Sequence, residues 1–353
     1  MKLKKIYLLI ALVTFLVNCA SEDQNTKIHN DQGEKVSGHS TKTTPLAMDA
    51  YKDVCENNLE GAPKLYTSLL RKKISNEVAI ELGFKDIESL LLKSKKDKIL
   101  YFKYVRALEA KALLLLDIKP NDFVFEVSKI QKSLIQALAK IKNEHYKNIF
   151  IQKVKFLDFK FQSQVLFEED RDSHHWRRFN DICQIDGLAA SAIYIQKNFV
   201  LCPGMLIRYA TEFGETAGLW NLLQVSAHEM GHGVSVLDQD TKNYFQKFTK
   251  CIESNYNDTS NFPSSTGYNI TYADETIADI WSLQAIAQRV SKLKITKAEK
   301  RTIIKQAFGS YCGYSGDPIH PTGEFSIFAA LLNNKSMREL FHWKKPENSC
   351  YIN

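Results

Sequence analysis

His228, Glu229, Met230, Gly231 and His232 set two imidazoles four residues apart with a carboxylate between them, and that spacing constrains the chain more than any other feature. Residues i and i+4 share one face of an α-helix, so both rings can reach a single metal ion while Glu229 projects beside it. The flanking residues decide whether such a helix belongs in a core. Leu219, Trp220, Leu222, Leu223, Val225, Ala227, Met230 and Val234 surround the pair at near-helical spacing, as a buried helix requires. A solvated histidine helix would be more polar.

A second segment, from Tyr272 to Trp281, carries Glu275 and Asp279 at the same i, i+4 spacing on an otherwise apolar helix. Charged groups are rarely buried unless they are paired or bind metal. The two acids therefore either lie on the helix surface with Ile277, Ile280 and Trp281 turned inward, or they face the histidines. In the second arrangement His228, His232 and Glu275 form a three-ligand set for one Zn2+ per chain, with the fourth position open to water. Glu229 is then the general base, and Asp279 accepts the other ring N–H of His228 and fixes its tautomer.

Segments on either side extend the pattern. Ser191-Ala192-Ile193-Tyr194 is followed by the run from Asn198 to Leu206, and His320-Pro321-Thr322-Gly323-Glu324-Phe325 lies downstream. Together with the two metal motifs these resemble the neprilysin and endothelin-converting-enzyme type zinc endopeptidases, over Cys55 and about residues 188–353. The resemblance implies a mainly α (α+β) fold. Its parts are a thermolysin-like catalytic domain with a small sheet over residues 173–353 and a reduced helical cap over 49–172. It implies a transition-state role for His320, which could otherwise be an ordinary loop histidine beside Pro318 and Pro321. It also implies that substrate adds as a strand along Ser191 and Ala192, and that Val225 and Tyr311 line the pocket beside zinc. Two departures stand out: Ser191 replaces the family's asparagine, and Ser326 replaces an arginine that contacts substrate backbone.

The resemblance further pairs Cys55 with Cys312 and Cys251 with Cys350. Independently, seven cysteines with one near the N-terminus leave an even six for an oxidising compartment. Cys183 and Cys202 remain as a third pair, or as two buried thiols.

The N-terminus accounts for that compartment. Lys2, Lys4 and Lys5 precede an apolar run from Ile6 to Val17, too short to span a bilayer and of signal-peptide size, so residues 1–18 read as a leader. Leu16-Val17-Asn18-Cys19 resembles a bacterial lipoprotein box with Cys19 as the lipidated residue, although Asn18 is atypical and leaves ordinary cleavage and secretion open. Residues 19–48 are polar and read as a flexible tether. Between Pro63 and about Phe167 the apolar periodicity predicts three or four amphipathic helices, a region short enough to wall the site without closing a chamber. The formal charge of +7 is dispersed, and the lysines at 93–98 are interrupted by Ser94 and Asp97, so no nucleic-acid partner is expected.

The sequence thus points to an exported, lipid-anchored zinc metalloendopeptidase acting on peptides or unstructured proteins. The rival is a peptidase-like surface lipoprotein that binds peptides or proteins without cutting them, for which Ser326 leaves room.

Overall fold

Capping side chains cut the apolar periodicity of the N-terminal half into more helices than periodicity alone predicts. The computed structural model describes residues 45–56, 64–168, 182–183, 191–195, 198–234, 239–256, 270–316, 320–332, 334–346 and 350. The leader, Cys19, the tether up to residue 44 and the 172/173 domain junction lie outside these. Helix α1 spans Pro45–Cys55, so the last residues assigned to the tether are helical. Proline suits a first helical position because its missing N–H has no partner there anyway. Helices α2 (Lys64–Glu81), α3 (Ile87–Ser94), α4 (Lys98–Leu115), α5 (Pro120–Leu138) and α6 (Glu144–Lys155) follow. Asp86 and Ser89 form a reciprocal capping box on α3, Asp97 caps α4 and Asn143 caps α6, each satisfying backbone donors that the first turn leaves over. Five helices therefore occupy residues 64–155 where three or four were expected.

The chain then forms β1 (Asp158–Phe161) and α7 (Gln162–Glu168), and beyond them β2 (Ala192–Ile195) and β3 (Asn198–Leu201). The sheet order is β1-β3-β2, with β1 parallel and β2 antiparallel to β3. Strand β1 was not anticipated, and it comes from the segment read as cap. Its four residues are too few for a period-two signal to stand out.

Helix α8 (Pro203–Gly231) is broken at Gly214, whose φ of 72° a residue with a Cβ adopts only under strain. The break frees the second half, which carries the histidine motif, to take its own direction. A 3₁₀ turn at His232–Val234, α9 (Lys242–Tyr256), α10 (Ile270–Ser291) and α11 (Lys297–Ala307) follow, then a 3₁₀ turn at Gly309–Tyr311. The described chain closes with α12 (Gly323–Ile327), a π turn at Phe328–Leu332 and α13 (Lys335–Phe341). The molecule is thus mostly helical with a small sheet. None of its described helices is long and apolar enough to cross a membrane.

One hydrophobic cluster runs through Leu90, Tyr104, Leu134 and Phe150 of the N-terminal helices and Leu222, Met230, Ile277 and Leu331 of the later ones. Helix α10 packs on both α8 and α5, and Arg289 reaches Glu126 at 3.3 Å across the α10–α5 seam. Three disulfides close the frame: Cys55–Cys312, Cys183–Cys202 and Cys251–Cys350. The first is reinforced by Tyr51, whose hydroxyl accepts the Gly313 N–H at 2.7 Å, and by Asp53, which holds Lys305 at 2.5 Å and the Trp343 indole at 3.1 Å.

Glu109 ties α4 to α7. It is buried, and its carboxyl accepts the Ser163 N–H at 2.9 Å and the Ser163 hydroxyl at 2.5 Å. Burial outweighs those bonds and pushes it up to about 7 from 4.5. A carboxyl whose folded pKa lies above its unfolded value binds its proton more tightly when folded, so stability is lost as pH rises from about 4.5 through 7. Glu109→Gln is expected to gain about 3 kcal/mol on the wild type across that window. Urea unfolding at pH 5 and pH 8 measures the difference, and a gain equal at both pH values would contradict it.

Candidate metal centre

The close crossing of α8 and α10 builds the centre. A Cβ added at Gly231 would lie 2.7 Å from the Ala278 Cα and 2.8 Å from its carbonyl oxygen, so only glycine permits this approach. His228 and His232 then face Glu275 and Asp279 across the seam, the two i, i+4 pairs meeting edge to edge.

His228 Nε2 lies 3.0 Å from Glu275 Oε2 and 3.1 Å from His232 Nε2, and the third edge, His232 Nε2 to Glu275 Oε2, is 3.6 Å. Donors about 2.0–2.1 Å from a tetrahedral zinc are separated by roughly 3.3–3.4 Å. The triangle of donor atoms thus has the size that an ion requires, and these three residues could hold a metal ion. A surface location for Glu275 and Asp279 is excluded, since both are buried.

Each histidine is oriented from behind. Asp279 Oδ1 is 2.8 Å from His228 Nδ1, and Asp274 Oδ2 is 3.1 Å from His232 Nδ1. An Nδ1–H held by a carboxylate leaves Nε2 as the lone-pair donor, the tautomer a metal needs. Sequence reasoning found Asp279 but not Asp274. Its signal was an acid next to a ligand on an apolar helix, which i, i+4 counting passes over.

Behind Asp279 lies a further layer. The Tyr311 hydroxyl donates to Asp279 Oδ1 and accepts from Gln224 Nε2 at 2.9 Å, and the Ser282 hydroxyl donates to the Asp279 carbonyl at 2.8 Å. Asn221 holds the Tyr311 segment by donating to the Gln306 carbonyl at 2.6 Å and accepting the Ser310 N–H at 3.1 Å. Tyr311, expected to line an apolar pocket, therefore has its polar end committed to Asp279, while its ring stacks on Phe308 at 5.7 Å. Burial and the adjacent Asp279 hold its hydroxyl well above the ordinary range, so it stays a donor. Gln224 and Asn221 carried no sequence signal, because polar residues on a core helix reveal no partner.

The electrostatics follow from acids outnumbering histidines. Burial opposes the charge on Glu275, but His320, His232 and His228 overcome it and bring the carboxyl down to about 2. Burial would lower both histidines, yet Asp279 and Glu275 hold His228 well above its ordinary value, and Glu275 and Asp274 raise His232. Glu229 is buried, and desolvation raises its carboxyl against the pull of the two histidines. A pocket of this kind favours a cation at the ring nitrogens, and a proton and a divalent ion compete for that place.

The remaining expected residues differ in exposure. His320 Nε2 is 3.6 Å from Glu275 Oε2, and its side chain is 29 % exposed against 3 % for Glu275. Val225, half-buried, shares the α8 face of Glu229. Strand β2 is an edge of the sheet, and its Tyr194 ring centroid lies 6.5 Å from that of His232. Ser191 is buried at the start of β2, and its carbonyl accepts the Cys202 N–H at 3.0 Å. Ser326 is buried in α12. No protein-family model matches this chain, and no curated protein does.

Two substitutions test this architecture. Gly231→Ala is expected to force α8 and α10 apart and weaken metal binding by at least about tenfold, with about 1–3 kcal/mol of destabilisation from overpacking. Asp279→Ala should weaken it about 10–100-fold through loss of ring orientation. Competition against a chromophoric chelator measures both, and unchanged affinity in both variants would refute the assignment.

Proposed function

We propose that the protein is an exported, lipid-anchored zinc metalloendopeptidase of the neprilysin type, with a thermolysin-like catalytic arrangement, acting on peptides or unstructured proteins. The observation that carries this reading is the donor triangle of His228, His232 and Glu275, with buried Glu229 between the two histidines in the chain. Those three residues would hold the zinc, which when bound supplies Lewis acidity, acidifying water and polarising a carbonyl.

The chain's own groups perform the remaining work. Glu229 takes a proton from the attacking water and returns it to the leaving amine nitrogen. Burial raises its carboxyl from the ordinary value. His320, at the open side, donates a hydrogen bond to the carbonyl oxygen as negative charge develops there. Asp279 and Asp274 keep His228 and His232 in one tautomer and orientation. An extended peptide paired with β2 would run past His232, gaining affinity from main-chain hydrogen bonds with little sequence preference. With only about a hundred residues of helices before the sheet, the cap is too short to close a chamber of the family's kind, which leaves larger or unstructured protein substrates open.

A second reading, a surface protein that binds peptides without cutting them, is favoured by one observation. Ser326, where the resembled family has a substrate-contacting arginine, is a small buried side chain.

Metal analysis combined with turnover of a quenched peptide library separates the two readings. Glu229→Gln is expected to keep its zinc and lose at least about a hundredfold in kcat. His320→Ala should lose about 10²–10³-fold in kcat with KM little changed. Stoichiometric zinc with no Glu229-dependent cleavage would favour the binding protein.

A further inference from the structure

The outward face of α4 mixes large apolar and basic side chains. A helix that packs on one side ordinarily turns charged and polar residues of both signs to water. Here Ile99, Phe102, Lys103, Arg106, Ala110 and Leu114 fall within one stripe, at spacings of three and four. Ile99 is 67 % exposed and Leu114 71 %. Phe102 extends the stripe sideways, its ring 5.3 Å from that of Phe167, which is itself 71 % exposed on α7. The turn leading into the stripe adds exposed Leu92, Lys93 and Lys96.

Among the described residues α4 itself turns no acid outward along this stripe, and exposed Asp97 stands at its start. Asp97 is the α4 cap and accepts the Leu100 N–H at 2.9 Å, while Glu109 is turned inward to Ser163. The surface therefore combines large apolar side chains with a basic excess, Lys93, Lys96, Lys103 and Arg106 against exposed Asp97. Large apolar side chains exposed together on one face mark an interaction surface, and a basic excess among them selects an anionic one.

We propose that the α4 stripe, with Phe167 and the Leu92–Ile99 turn, docks on an anionic lipid bilayer. Ile99, Phe102, Leu114 and Phe167 enter the boundary between headgroups and acyl chains, and Lys96, Lys103 and Arg106 pair with the lipid phosphates. The helix lies in the plane of the interface, since no described helix can cross the membrane. This contact is separate from the leader and Cys19, and it stands whether or not the metal centre hydrolyses peptides.

The test uses the full chain carrying Cys19→Ser, floated with vesicles of phosphatidylcholine alone or with about a third phosphatidylglycerol. Lys103→Glu with Arg106→Glu should reduce partition onto the anionic vesicles at least about thirtyfold and leave partition onto neutral vesicles unchanged. Because both positions are exposed, the fold should survive, and circular dichroism checks that it does. In the same background an environment-sensitive dye on Ala110→Cys should shift to the blue with anionic vesicles alone. Unchanged partition of the charge-reversed variant, or a dye that stays in water on vesicle-bound protein, would overturn the proposal. Binding of soluble polyglutamate in preference to vesicles, lost in the same variant, would overturn it too and assign the stripe to an acidic protein.

Discussion

The nearness of two backbones, Gly231 on α8 and Ala278 on α10, is the constraint from which the rest of the centre follows. An i, i+4 pair on one helix fixes two donors to a face but leaves open what that face meets. Only when the second helix comes close enough for its carboxylates to reach across do the four side chains share one volume. Larger residues at the crossing would hold the axes at an ordinary separation, and Glu275 would fall short of the ring nitrogens. Two small residues, one inside each motif, thus convert two local patterns into a three-dimensional site.

That nearness has an electrostatic cost, which the surroundings offset. Glu229, Asp274, Glu275 and Asp279 are all buried beside two half-buried histidines. An isolated buried carboxylate costs several kcal/mol, so each must find compensation. Asp279 obtains it from His228 and Tyr311, Asp274 from His232, and Glu275 from three histidines at once. Glu229 stands apart from these three: burial outweighs the pull of the histidines, and its carboxyl is raised.

The sequence made the ligand set legible because the ligands obey helical spacing and sit among apolar residues, where charge demands a reason. The supporting shell was legible only where it obeyed the same spacing. Asp279 is four residues from Glu275 and was found. Asp274 is adjacent to it, about 100° around the helix, and whether that direction points to His232 depends on how α8 crosses. Tyr311 was placed near the centre correctly but with the wrong end in mind, since a sequence does not say whether a tyrosine offers its ring or its hydroxyl. Cys55–Cys312 and Cys251–Cys350 came out as expected because flanking motifs identified them, whereas Cys183–Cys202 was reached only by elimination, with two free thiols as the alternative. Strand β1 and the extra helices were missed for a different reason: they depend on single capping residues and on a partner strand some 40 residues away.

A gradient of exposure across the centre then divides it into a fixed side and an accessible side. Glu275 and Asp279 are sealed, His228 and His232 are open by only 14 % and 10 %, and His320 reaches 29 %. The hydrogen-bond chain through Asp279, Tyr311 and Gln224 lies wholly toward the sealed side, so it rigidifies the donors without obstructing approach. Strand β2 and His320 are the elements that an incoming extended chain would meet. Buried Ser326 offers no reach toward such a chain, so under the proposed function recognition would rest on the β2 main chain and on His320. Main-chain pairing is indifferent to side-chain identity, and selectivity at this centre would then depend more on whether a substrate can extend than on its sequence.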